Sequence, residues 1–295
     1  MILVFGGTTE GRKAVDVLEE AATTYYYSTR SEGQQINLLH GIHLTGGMEL
    51  TEMIDCCKKH HIRLIVDAAH PFAEELHHNL FFLCKHINAP IIRYDRIYPP
   101  YDNTLIWCKD YDDAVRQLED NHIERLLALT GVRTIGRLRA FWENHDNCWF
   151  RILNRRLSHV VARQSGFPED HLVYYGEDDT AALIEQLHPQ AMLTKESGLS
   201  GGFCEKVAVA LQSGVKVFAI ERPAYPPHTP NPQHVTIARV NGPHGLRRAV
   251  EHLLPEFYPL HSGLTSGTCA TAAAVAAALR LLKGETPPGV PVVLP

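Results

Sequence analysis

The sequence lacks a C-x-x-C pair among its seven cysteines, and an odd number of thiols leaves no closed disulfide framework. Reduced cysteines and a cytoplasmic setting are the expectation. No apolar run is long enough to span a bilayer, and a strand beginning at residue 2 leaves no room for a secretory leader, so neither membrane nor export is expected. Positive charge is also short. With 28 Lys and Arg against 33 Asp and Glu the net charge is -5, which provides no footprint for nucleic acid. The 18 histidines form no H-E-x-x-H motif and no Cys/His set. The adjacent pairs His60-His61 and His77-His78 point to different helix faces, so no metal is expected. The Y-x-x-x-K pair of short-chain dehydrogenases is missing.

What is present is ordinary in bulk: 45% apolar and 21% charged residues supply ample core. At 295 residues the chain exceeds one α/β unit of average size, so two domains are expected. The stretch Ile2-Leu3-Val4-Phe5-Gly6-Gly7-Thr8-Thr9-Glu10-Gly11-Arg12 has the form of a buried parallel strand, a tight turn and a helix. Free N–H groups and the positive dipole end at such a turn suit a phosphate. Gly6 and Gly11 match the first and last glycines of G-x-G-x-x-G, but Thr8 stands in the middle place, and an ordinary strand-to-helix turn remains open.

Downstream, apolar strands alternate with amphipathic helices at βαβ spacing, which puts the strand-end loops along one edge of each sheet. The fold class expected is α/β, with two Rossmann-like domains, mainly parallel sheets and a ligand cleft between them. Tyr98 to Asn103 is the proline-broken hinge. The expected domains are therefore residues 1–100, 101–258 and a tail, 259–295, with a strand near Val235 to Arg239 and a helix near Leu246 to Leu254 closing the second. Arg222 to Gln233, with five prolines, is expected to run over the surface. The tail looks like the start of a further domain, because about 35 residues cannot bury a core alone.

Two strand-end loops carry chemistry. In Asp67-Ala68-Ala69-His70-Pro71-Phe72-Ala73, Asp67 and His70 either face the cleft or serve as a capping acid and a packed ring. In Leu193 to Gly202, Lys195, hydroxyls and glycines either gather an anion or form a loop with a solvated lysine. Thr130-Gly131-Val132-Arg133 and Arg222-Pro223 close two more strands. Ser28, Thr29 and Arg30 end the second strand, where a cation and hydroxyls suit a 2′-phosphate unless Arg30 is merely solvated. The basic run Arg151 to Arg163 offers a further place for an anion.

These loops, in this order, resemble the precorrin-6A reductase family of corrin-ring biosynthesis. The matching pieces are Leu3 to Arg12, Val66 to Ala73, Thr130-Gly131, Leu193 to Gly198 and Val217 to Pro223, spread over about residues 1–255. The tail segment Gly263 to Ala274 is similar to the N-terminus of cobalt-precorrin-5B C1-methyltransferase, which implies a fusion and the anaerobic, cobalt-early route. The resemblance implies NADPH- or NADH-dependent reduction of one macrocycle double bond of (cobalt-)precorrin-6A. It also implies a dinucleotide held by Gly6, Gly7, Thr8, Thr9 and Glu10, with Asp67, His70, Pro71, Phe72 and Ala73 beside the nicotinamide and Ser28, Thr29, Arg30, Thr130 and Gly131 as further cofactor-binding candidates. Arg93, Arg133, Lys195, Ser197, Gly198 and Arg222 are the candidates for a carboxylate-rich tetrapyrrole, and His70 and Asp67 are the candidate catalytic groups. Two places depart from the family pattern. Tyr175-Gly176-Glu177 lacks a Gly-Pro-Phe turn, and Ala69 stands where threonine is frequent. A non-catalytic two-lobed nucleotide-binding or sensing protein, or another NAD(P)-dependent oxidoreductase, also fits the loops alone.

Overall fold

The computed structural model describes residues 1–295 apart from 32, 33, 35, 227–234, 261–265, 287–289 and 291–295. Its first half runs β1 (Ile2–Phe5), α1 (Thr9–Glu19), β2 (Tyr25–Thr29), β3 (Gly41–Thr45), α2 (Leu50–Lys59), β4 (Leu64–Asp67), α3 (Glu74–Ile87) and β5 (Ile91–Tyr94). The central strands β1, β4 and β5 are mostly apolar and fully buried, as a sheet covered on both faces requires. The second half restarts with β6 (Ile106–Cys108), α4 (Tyr111–Asp120), β7 (Arg125–Ala128), α5 (Arg139–Trp142), β8 (Asn147–Ile152) and α6 (Arg156–Gln164). It continues with β9 (Leu172–Tyr174), α7 (Thr180–Leu187), β10 (Ala191–Lys195), α8 (Phe203–Gln212) and β11 (Lys216–Ile220). Its sheet is ordered β6-β11-β10-β7-β8-β9, and every pairing is parallel.

The chain then returns. β12 (Ile237–Val240) pairs with β5, completing a parallel first sheet ordered β12-β5-β4-β1-β2-β3. The helix after it, α9 (Gly242–Leu253), buries Leu246 and Val250 in the same core cluster as Ala14, Val17 and Leu18 of α1. The Tyr258 hydroxyl donates to the Val17 carbonyl at 2.9 Å. The expectation that 235–258 closes the second half is therefore corrected. Reading order suggested it, but β12 adds in parallel to β5 and α9 buries its apolar face against α1, pairings that sequence proximity does not reveal. Of the proline-rich segment, 227–234 lie outside the described residues.

Each sheet is covered on both faces by its own apolar clusters, so the molecule has two cores rather than one. One expected helix, 134–144, shrinks to α5 preceded by 3-10 turns at Val132–Thr134 and Gly136–Leu138. There the Thr134 hydroxyl donates to the Gly131 carbonyl and the Trp142 indole to the Ile135 carbonyl, which occupies acceptors that a longer helix would use. In the tail, α10 (Ser266–Lys283) leaves Leu281 and Leu282 exposed. The expected tail motif falls partly outside the described residues, at 263–265. Among the described residues no helix is long and apolar enough to cross a membrane, and no group of three or more His, Cys, Asp or Glu could hold a metal.

The two lobes meet along their strand-end loops. Arg96, just after β5, donates from Nε to Glu10 of α1 at 2.9 Å and from Nη1 to the Ser197 carbonyl at 2.6 Å. Leu199 N–H reaches the Ile97 carbonyl at 2.9 Å. Phe72, in the loop after β4, packs against the second lobe's core.

Candidate functional site

The turn from β1 to α1 is built on Tyr27 of β2. A Cβ at Gly6 would lie 2.1 Å from the Tyr27 hydroxyl oxygen, and one at Gly11 would lie 2.5 Å from it. Both glycines are thus required by the ring beneath them. That hydroxyl accepts the Gly7 N–H at 3.0 Å and donates to Gln34 at 2.8 Å. Gly7 takes a left-handed φ of +87°, and the space where a Cβ would go is open. Thr8 is extended (φ -127°), so its place in the fingerprint needs no glycine. Instead its hydroxyl caps α1, accepting from Gly11 N–H at 3.0 Å and donating to the Ala68 carbonyl at 2.7 Å. Thr8 therefore ties the first turn to the loop after β4.

Asp67 ends β4 in register with Arg93 of β5. It is fully buried, and its carboxylate accepts from Arg93 Nη1 at 3.0 Å, from the Ala69 N–H at 3.1 Å and lies 2.7 Å from His77 Nδ1. Burial pushes its pKa up, but Arg93 and His77, with the Ala69 bond, bring it down to about 2. Arg93 also donates to the Ala69 carbonyl and lies 5.2 Å from the Tyr225 ring. Neither Asp67 nor Arg93 reaches the cleft. Both were expected to touch ligand; their charges are spent on each other and on shaping the Ala68-Ala69-His70 bend.

His70 does face the cleft. Its Nδ1 accepts the Phe72 N–H at 3.2 Å, which fixes a neutral ring with hydrogen on Nε2. Burial, with Arg96 and Lys195 nearby, lowers its pKa to about 3. In the ligand-free protein the ring is therefore neutral, and its Nε2–H is the group it presents.

The cleft between the lobes measures about 1420 Å³. Gly6, Gly7 and Thr8 line one wall, followed by Ser28, Thr29 and Arg30 at the end of β2, and His70, Phe72 and Ala73 after β4. The opposite wall carries Arg133, Arg155, Leu153, Leu157 and Val161. Burial and the charge of Arg30 lower the Arg133 pKa, so two cations crowd the cleft from different lobes. A side pocket of about 250 Å³ shares His70 with the cleft and brings in Thr130, Gly131, Lys195 and Ser197.

Other expected residues turn elsewhere. The Glu10 carboxylate is buried on Arg96 and Ser200 across the lobe boundary. The Thr9 hydroxyl accepts from Arg12, and neither Thr9 nor Pro71 lines the cleft. Gly198 is a close-approach point: its Cβ would meet the Ile97 carbonyl at 2.9 Å at a φ of +71°. Arg222 pairs with Glu196 and lies 3.7 Å from the Tyr98 ring centroid, outside both cavities.

Sequence reasoning missed Arg12 and Gln34 on the cleft, and Arg96, Tyr175 and Lys206 in the side pocket. Arg155 belongs to the basic run marked for an anion. In the same run Arg151 is buried against Tyr175 and Arg163 pairs with Glu169 at the surface.

Comparison with known proteins agrees with this architecture. The Cobalt-precorrin-6A reductase of Methanocaldococcus jannaschii is 27% identical over 231 residues, 75% of this chain and 90% of that protein. Its counterpart in Salmonella typhimurium is 28% identical over 233 residues, 75% and 87%. A solved structure, "CobK precorrin-6A reductase", superposes with a TM-score of 0.65 at 17% identity, covering 86% of this chain and 96% of that one, and shares the fold. A family model described as CbiD matches residues 255–295. The model described as Precorrin-6x reductase CbiJ/CobK spans residues 1–240, both sheets and every loop of the cleft, and the chain belongs to that family.

Proposed function

We propose that this chain uses a reduced nicotinamide dinucleotide to reduce one ring double bond of cobalt-precorrin-6A, or of its metal-free counterpart, to the corresponding precorrin-6B of cobalamin biosynthesis. Beyond family membership, the observation that carries this reading is the size and polarity of the cleft. About 1420 Å³ exceeds the roughly 300–1,000 Å³ of a site for one drug-sized ligand. One wall has a glycine turn and helix N-terminus suited to phosphates, and the other has apolar side chains between arginines, suited to a flat ring with carboxylates.

The dinucleotide fits the residues present. The open space over Gly7 leaves room for its phosphates beside the N-terminus of α1, and Arg30 stands where the adenosine ribose falls in such folds. When bound, the nicotinamide supplies the hydride; the chain's own residues bind, orient and keep out water. Ala69, His70, Phe72 and Ala73 form the wall for the nicotinamide end, with His70 a neutral ring whose Nε2–H is its only donor. Arg133 and Arg155 attract carboxylates from the other lobe. The match of residues 255–295 to the CbiD family favours the anaerobic route and the cobalt-bearing substrate. A cytoplasmic setting suits the seven free cysteines.

The deciding experiment mixes the protein anaerobically with cobalt-precorrin-6A and NADPH and follows loss of the reduced cofactor's near-ultraviolet absorbance. No loss with folded protein would overturn the reading. NADPH is the proposed cofactor, because Ser28 and Arg30 line the cleft at the end of β2, where a 2′-phosphate would lie, while the Thr29 hydroxyl is held by the Ser31 carbonyl and His43. Arg30→Ala should then weaken NADPH binding by about ten- to a hundred-fold, the equivalent of one charge-assisted hydrogen bond of about 1.5–3 kcal/mol. Fluorescence titration should find NADH binding unchanged; equal losses for both cofactors would remove Arg30 from the 2′-phosphate.

A further inference from the structure

The side pocket beyond His70 is electrostatically incomplete. Three basic side chains line it, Arg96, Lys195 and Lys206, and no acidic one does. A fourth cation, Arg151, lies behind its Tyr175 wall at 4.4 Å from that ring. Arg96 is answered by Glu10, whose carboxylate also takes the Ser200 hydroxyl. The Lys206 ammonium has one neutral acceptor, the Gly201 carbonyl at 2.9 Å. The Lys195 ammonium has no hydrogen-bond acceptor among the described residues; it lies over the face of Phe72, 5.2 Å from nitrogen to ring centroid.

Half-buried ammonium groups without a hydrogen-bonded carboxylate are costly, because the solvent they lose is only partly replaced by a counter-charge. Both lysines register this strain. Burial, with Arg137 and Arg133, brings the Lys195 pKa down to about 8 against the opposing charge of Glu74, and burial, with Arg151 and Arg96, lowers that of Lys206 against Glu205. An anion seated between them would relieve it. The size of the pocket limits that anion. About 250 Å³ is too small for a macrocycle or a dinucleotide. None of the glycine-turn residues of the phosphate cradle lines it.

On the reductase reading above, we infer that this pocket takes one carboxylate-bearing side arm of the tetrapyrrole, held chiefly by Lys195 with Lys206 and the buried Thr130 and Thr194 around it, while the ring stays in the main cleft. A macrocycle carries several similar arms around a nearly repeating rim. Seating one arm in this side pocket next to His70 selects a single rotation of the ring, and so selects which double bond lies against the nicotinamide wall. Lys195 is then a specificity-determining residue.

The test is equilibrium binding of cobalt-precorrin-6A to the full chain without cofactor, read from the macrocycle's own absorbance. Lys195→Met should weaken macrocycle binding by about ten- to a hundred-fold and leave the NADPH Kd unchanged. Lys195→Arg, which keeps the charge, should recover most of the loss. Wild-type affinity should be full below the lysine's pKa and fall as pH rises through about 8, whereas Lys195→Arg should hold its affinity to higher pH. A wild type that binds and reduces the macrocycle, beside a folded Lys195→Met that binds it equally well, overturns the inference and leaves the reductase standing. A wild type that neither binds nor reduces it overturns both.

Discussion

Gly7→Asp should abolish measurable NADPH binding while the protein stays folded. The position is open, with nothing within 4 Å of the added Cβ, so the new side chain displaces no core atom. Its cost to the fold is the backbone strain of a non-glycine residue at φ +87°, about 1–2 kcal/mol. Its cost to the ligand is larger. A carboxylate about 4 Å from a phosphate charge, at an effective dielectric near 20, is repelled by about 4 kcal/mol, or about three orders of magnitude in Kd. Gly7→Ala shares the strain without the charge and should lose far less. Circular dichroism would confirm that both variants are folded, and fluorescence titration would compare their cofactor affinities. An Asp variant that binds NADPH as well as the Ala variant would move the phosphates away from this turn.

Asp67→Ala should destabilise the protein by about 3–5 kcal/mol, a large share of the roughly 5–15 kcal/mol that holds a domain together. The substitution strands Arg93 inside the first lobe with only Asp95, at 3.6 Å, as a charged partner. It also releases the Ala69 N–H and His77. Urea denaturation measures the loss. The double variant Asp67→Ala/Arg93→Met removes both charges and should regain much of it, because the penalty lies in the unpaired cation rather than in a missing bond. If Asp67 were instead a catalytic acid, Asp67→Asn would keep near-normal stability and lose turnover, and removing Arg93 would restore nothing. Acid should act on the same group. Its folded pKa, near 2, lies below its ordinary 3.8, so its stabilisation is present above about 3.8 and is lost as pH falls through about 2. Asp67→Asn should lack that portion of acid unfolding.

These predictions separate residues that local sequence could place from those it could not. The β1–α1 turn was legible because its determinants are local: an apolar run, a Gly-Gly break and an amphipathic helix. Even Thr8, which looked like a lapse from the fingerprint, follows a local rule, since an extended residue with a hydroxyl caps a helix where a glycine is not required. Asp67 and Arg93 were misplaced for the opposite reason. Both sit at strand ends where ligands bind in such folds, and only the register of β4 on β5 reveals that they face each other. Glu10 likewise lies in a phosphate-binding position by sequence but turns to Arg96, 86 residues away, at the lobe boundary.

The sequence by itself determined the alternation of strand and helix, the two-sheet α/β class and the loops that bear ligands, because hydrophobic periodicity and glycine turns act over a few residues. Tertiary structure decided which sheet β12 completes, which charges are spent on the fold and which are left facing a ligand. Those outcomes depend on edges, registers and long-range pairings. No window of the sequence contains both partners, so Arg93 and Lys195, each a cation at the end of a buried strand, could be told apart only once the chain had folded.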